Sequence, residues 1–224
     1  MLAGEGAVAI WNGISQAGRA SFYQWHLHEH MPERVGIPGF LRGRRYRAAD
    51  DLTHPEFFTL YETLAFETVL GSDYLGRLNA PTAWTRATMA HFQTTSRALA
   101  RVVASFGVGP GGTLLTIRFA MSGDEETAVG ALKHRLMSLA DAAEITGAHL
   151  LEADEAASAT TTAETRGRQD IEAPPRWVIL VEACSLGALD AAQRSLSDIL
   201  PPQKAAAGRY IHEYTRLKTP WAAG

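Results

Sequence analysis

The chain has 224 residues, a formal net charge of -3 at pH 7, 46% hydrophobic residues and a single cysteine. That length can bury a real core, as one large domain or two small ones, and the charge gives no electrostatic reason to expect nucleic acid or an anionic membrane surface as a partner. One cysteine excludes an intrachain disulfide, and neither a basic leader nor an apolar run of bilayer length is seen, so a reduced, soluble, cytoplasmic protein is expected.

In chain order, "AVAIWNGI" (7–14) predicts a buried strand, "ASFYQWHLHEHM" (20–31) a helix, and "GFLRGRRYRA" (39–48) and "EFFTLYET" (56–63) two strands rich in aromatic and aliphatic residues. Short helical pieces follow at "FETVLGSDYLGRL" and "PTAWTRATM", with Pro81 suited to the first helical turn of the second. "ARVVASFG" (100–107) predicts a fourth strand. "GVGPGG" (107–112) lacks dinucleotide-binding spacing and a helix directly behind it, and is expected to be a hinge.

After the hinge the order begins again. "TLLTIRFAM" (113–121) is a strand, and "DEETAVGALKHRLMSLADA" (124–142) a helix whose acidic start suits the positive end of its dipole. "GAHLLEADEA" (147–156) and "RWVILVEAC" (176–184) are strands, "LGALDAAQRSLSDIL" (186–200) a helix, and "GRYIHEYTRLK" (208–218) a last strand. Cys184, in an apolar run, is expected to be an inert buried thiol. Strand–helix–strand–strand–helix–strand is a ferredoxin-like unit, so the fold class is α+β with two fused βαββαβ repeats, 1–108 and 113–224. One helix pair covers one face of a four-stranded sheet, and the two uncovered apolar faces need each other. "EAASATTTAETRGRQDIEAPP" (155–175) interrupts the second repeat and is expected to be a mobile loop.

The chemistry concentrates in "FYQWHLHEHMPERVGIPGFLRGRRYR" (22–47). On a continuous helix His26 and His30 share a face while His28 points elsewhere, as a plain surface residue. Pro32 disfavours helical angles at Met31, which would then end the helix and leave His30 at a C-terminus, where the dipole favours the protonated ring. H-x3-H-x2-E superficially suggests a metal site, but Pro32 interrupts the geometry and no third ligand follows at a suitable spacing; no metal is expected. Glu33 and Arg34 are either the charged half of a site or a pair with each other or solvent.

"FYQWHLHEHMPERVGIPGFLRGRRY", with "YET" (61–63) and "PTAWTR" (81–86), resembles the dimeric α/β-barrel superfamily, in particular its EthD-like members; the resemblance spans roughly residues 7 to 105 and is topological over 113–218. It implies an intrachain barrel, with the second repeat as a degenerate half, and matches His30 to the histidine of the family's "H-x-P". Small-molecule monooxygenases, polyketide cyclases, isomerases, dehydratases and haem-degrading enzymes share the fold, so it does not name a reaction.

In such a barrel the space between the two sheets is the expected pocket. His30 is the expected proton-transfer group, with His26 or Glu33 assisting and Arg44 or Tyr46 stabilising oxyanion charge; in one register Phe40, Arg42, Arg44 and Tyr46 face inward, in the other Arg45 and Arg47 do. Asn12, an amide in an apolar strand, Trp25, Arg42, Tyr61, Trp84 and His91 are candidate substrate contacts. The expected function is cofactor-independent acid/base chemistry of the lyase, isomerase or cyclase type on an apolar aromatic or polyketide-like molecule. The alternatives are a cofactor-free monooxygenase, a haem enzyme with His26, His30 or His91 as axial ligand, and a non-catalytic binding barrel. Open sheet edges would allow a homodimer.

Overall fold

The structure, a computed structural model, describes residues 1–121, 123–200 and 205–218; residues 219–224 of the second repeat lie outside the described part. The strands are β1 (Gly6–Ile14), β2 (Phe40–Ala48), β3 (Phe57–Thr63), β4 (Phe92–Gly107), β5 (Thr113–Phe119), β6 (Ile145–Ala153), β7 (Trp177–Ala183) and β8 (Ala206–Leu217). They close into one antiparallel barrel in the order β1-β3-β2-β8-β5-β7-β6-β4. Each repeat contributes one ferredoxin-like sheet, β4-β1-β3-β2 and β8-β5-β7-β6, and the seams are the β2–β8 and β4–β6 pairings within the same chain. The protein is therefore a fused form of the dimeric α/β-barrel fold. Closure leaves no free sheet edge in the barrel, which removes the edge-pairing argument for a homodimer.

Side chains alternate across each strand, so the sheet sorts them into two layers. Ala7, Ala9 and Trp11 of β1, Phe58 and Leu60 of β3, Tyr46, Leu151, Leu180 and Tyr210 fill the barrel interior. Val8, Tyr61 and Leu99 face outward, under the helices of the first repeat. The second repeat packs its own outer face with Ile117, Phe119, Leu136, Leu150 and Ile179, beneath α5 (Glu125–Ala140) and α7 (Leu186–Ser197). Expected elements and observed ones agree in order, and β4 is longer than read, since it bridges both repeats.

Two local corrections concern prolines. The first helix does not end at Met31: α1 (Arg19–Trp25) runs through a π turn (His26–His30) into α2 (Met31–Gly36). Met31 N–H reaches back to His26 O across five residues. That widened turn accommodates Pro32, which has no N–H and whose ring would otherwise press on the carbonyl four residues earlier. Pro81 lies before its helix: α4 (Ala83–Met89) is capped by Thr82, whose Oγ1 accepts from Thr85 N–H at 2.9 Å. The turn from α2 into β2 uses Gly39 at φ +83°, a left-handed conformation suited to glycine. Cys184 is exposed rather than buried, because β7 ends at Ala183 and the thiol leaves the sheet.

The insertion at 155–175, expected to be a mobile loop, carries α6 (Glu155–Ala159), buries Ser158, Thr162 and Glu164, and pairs Ile171 with Thr95 of β4. It leaves the second repeat and lies across the first. Among the described residues no helix is long and apolar enough to cross a membrane.

Candidate functional site

The barrel interior is not the pocket. Besides its apolar filling it holds a closed ionic network: Arg44 donates to both carboxylate oxygens of Glu182 at 2.6 and 3.0 Å, from Nε to Glu62 Oε1 at 3.0 Å, and from Nη1 to Tyr46 OH at 2.6 Å. Arg42 Nε adds a bond to Glu62 Oε1 at 2.6 Å, and the backbone N–H groups of Ala3 and Gly111 donate to Glu62 and Glu182. Burial opposes ionisation of Glu182, but His149 and the Arg44 guanidinium hold its pKa at about 2. Arg42, Arg44 and Tyr46 do share the inward face, while a bulge between Phe40 and Arg42 turns Phe40 outward. Arg44 and Tyr46 are bonded inside the barrel wall, as is Arg42 Nε, while Arg42 Nη2 is buried without a partner; none of the three lines the cavity on the other side of the sheet. Arg45 and Arg47 do not replace them: both bind Glu213 on the outside.

A cavity of about 570 Å³ opens instead on the outer face of the first repeat's sheet. Such a volume holds a drug-sized molecule. Its floor is Ile10 and Asn12 of β1, Thr59 and Tyr61 of β3, and Thr95 and Arg97 of β4; its walls are Phe22, Trp25, His26, His30 and Arg34 of the α1–π–α2 helix, Tyr74 and Leu78 of α3 (Ser72–Asn79), and Phe92. Residues 158–161 and 164–168 of the insertion, with 171–174, form the roof. The equivalent face of the second repeat is filled by its own core.

The π turn places both inward histidines on this wall. The His30 ring lies over Trp25 at 4.2 Å between centroids and 5.6 Å from the His26 ring. Trp25 is in turn fixed by donating from Nε1 to Thr85 Oγ1 at 3.1 Å, and Glu29 accepts from Thr82 and Thr85, tying α4 to the helix. His26 Nε2 is 3.5 Å from Thr59 Oγ1, while Nδ1 of both rings and the hydroxyl of Tyr61 are buried with no hydrogen-bond partner. Buried polar atoms are normally bonded, so three without a partner in the layer lining one cavity are unusual.

His30 is mid-helix, not at a C-terminus, and its protonation is the reverse of the dipole argument. Burial, then the charge of Arg34 and the neighbouring His26, push its pKa well below 6.5; burial and Arg45 do the same to His26. Both rings are neutral near pH 7 and can accept a proton. Burial pushes the Tyr61 hydroxyl up, so it stays a donor. His28 is exposed, as expected.

Of the candidate residues, Asn12, Trp25, His26, His30 and Tyr61 converge on the cavity. Glu33 lies outside it, bridging Arg34 and Arg77 at 3.2 Å each. Trp84 is on the exposed side of α4, and His91 packs near Ser15, with Nδ1 and Oγ 3.1 Å apart; neither reaches the cavity. Among the described residues no three His, Cys, Asp or Glu side chains are grouped to hold a metal ion. Arg34, read in the sequence only as part of a pair with Glu33, lies on the wall, whereas Arg97 of the floor and Glu164 of the roof carry no such reading. Arg34 follows His30 by four residues and so shares its helix face, a usable signal; nothing in a small polar insertion singles out Glu164.

No protein-family model and no curated protein sequence matches the chain. Solved structures do. An anthrone oxidase-like protein superimposes with a TM-score of 0.63 at 10% identity, covering 98% of this chain and 95% of that one. A candidate monooxygenase of Fusobacterium nucleatum subsp. nucleatum gives 0.59 at 8% identity, covering 97% and 96%. Another from Lactobacillus acidophilus gives 0.56 at 10% identity, covering 95% and 96%. At these identities the likeness establishes the fold, and the names give no support to lyase or isomerase chemistry over oxidation.

Proposed function

We propose that this protein is a small-molecule enzyme whose outer-face cavity takes an apolar aromatic or polyketide-like compound and whose His30 removes a proton from it. The observation that carries the reading is the pair of buried, neutral imidazoles and the unpartnered Tyr61 hydroxyl lining one cavity. A neutral imidazole has a free nitrogen lone pair to take a proton, and Tyr61, with the Asn12 amide, supplies donors toward an oxygen on which negative charge develops. Phe22, Trp25 and Phe92 would hold the flat part of the molecule.

Proton removal from a carbon acid activated by an adjacent carbonyl gives an enolate. From there the same site serves two outcomes. Reprotonation elsewhere, or expulsion of a leaving group, is isomerase or lyase chemistry. Reaction of the enolate carbon with dioxygen forms a C–O bond and, after proton uptake, a hydroperoxide; loss of water then leaves a carbonyl where a CH2 stood. Both atoms of dioxygen are accounted for, one in the product and one in water. The neighbours' names support the oxidative branch at least as well as the other.

Anthrone is a suitable probe, followed by oxygen uptake and by product mass. Turnover above the spontaneous rate is expected, with His30→Ala lowering it by about a hundredfold or more, the usual contribution of a positioned base. A loss of less than about tenfold would contradict the acid/base role.

A further inference from the structure

The cavity holds more positive charge than proton transfer requires. Arg168 is neutralised by Asp170, with Nη2 and Oδ2 2.5 Å apart. Arg34, buried, donates to Glu33 at 3.2 Å and to Glu164. Arg97, like the exposed Arg166 of the roof, makes no ion pair among the described residues: its Nη2 donates to the Ser158 carbonyl at 3.2 Å, and Glu164 pulls on it only from beyond ion-pairing distance. A half-buried guanidinium with only a neutral partner is costly unless a charge complements it.

Glu164 shows what this corner accepts. Its side chain, in a residue only 9% exposed, reaches in from the insertion and receives the Arg34 bond. Burial pushes its carboxyl up, against the pull of Arg34 and of Arg97. The stretch carrying it is held locally by Glu164 N–H on the Leu78 carbonyl at 3.2 Å and Ala163 N–H on Asn79 Oδ1 at 3.0 Å. The acid group that sits against Arg34 in this water-screened corner thus arrives on a roof segment rather than on the barrel.

We propose that Arg97 and Arg34 form an anion subsite and that the compound bound carries a carboxylate on its aromatic frame, taking the place on Arg34 that Glu164 holds. This rests on the cavity being the ligand site. It narrows the substrate class to aromatic acids, whose flat part packs on Trp25 and Phe22 while the acid group lies at the arginine end.

Binding of anthracene-9-carboxylate is compared with that of the neutral 9-anthracenemethanol by titration calorimetry. The carboxylate is expected to bind at least about tenfold more tightly, the scale of a charge-assisted, desolvated pair. Arg97→Gln is expected to remove most of that preference, read as the ratio of the two affinities within the same variant, and Glu164→Gln to tighten the carboxylate by removing its internal competitor. Equal affinities, a preference that largely survives Arg97→Gln, or binding of neither probe would overturn the subsite. If Arg97→Gln does not fold, Glu164→Gln decides alone, and unchanged or weaker carboxylate binding overturns it. His30→Ala is expected to keep the carboxylate preference. Lost turnover in that variant without any preference rejects the subsite and leaves the base standing; a preference with no anthrone turnover does the opposite.

Discussion

His26 and His30 are buried as neutral rings, and that has a thermodynamic signature. Their folded pKa values lie well below 6.5, so the unfolded chain binds protons that the folded one refuses once the pH drops through 6.5. Stability is therefore fully present above that value and is lost below it, by up to about 1.4 kcal/mol per pH unit for each ring. His30→Gln is expected to make the denaturant-derived stability fall less steeply between about pH 6.5 and pH 5, by one proton's worth; an unchanged slope would mean that the ring is not buried neutral. At this scale the sequence was informative where a residue type clashed with its surroundings. Asn12 in an apolar strand and two histidines one turn apart on an aromatic helix both lead to the cavity. Arg44 and Tyr46 lie in a buried network away from the cavity, a placement the sequence does not announce: a basic, aromatic strand can line a site or a network, and the partners Glu62 and Glu182 are distant in the chain.

The element that matters most is the α1–π–α2 helix, and its seating depends on β2. A Cβ at Gly43 would come within 2.2 Å of Met31 Sδ and 2.9 Å of the Tyr61 ring. Met31 follows His30 directly, so a side chain at Gly43 pushes the helix off the sheet at the cavity wall. Gly43→Val is expected to destabilise the fold by about 1–3 kcal/mol in denaturant unfolding and to lower anthrone turnover as well; a variant of full stability and activity would show that helix and sheet are less closely packed than described. The helix itself was legible from its apolar spacing, and its length was not. Proline reads as a stop signal in a chain of α-turns, whereas a single π turn absorbs it, and no local pattern announces that turn.

For the whole molecule, the repeat order and the barrel could be read from the alternation of elements, but not which side of the sheet is hollow. β3 and β7 are buried along their entire length on both faces, so apolar content cannot distinguish an inner layer from an outer one. The interior is a solid core with an ionic centre. Glu182→Ala, which strands Arg44 inside it, is expected to cost about 3–5 kcal/mol in denaturant unfolding. Affinity of the outer cavity for 9-anthracenemethanol should stay the same in whatever folded fraction remains; a fall in that affinity would place the ligand in the barrel. The direct test is a crystal soaked with 4-iodophenol, with the iodine located by its anomalous signal. The peak should lie among Trp25, His30 and Tyr61 beneath residues 158–174. Iodine inside the barrel beside Tyr46 and Arg44, or only on the outer surface, would contradict the account.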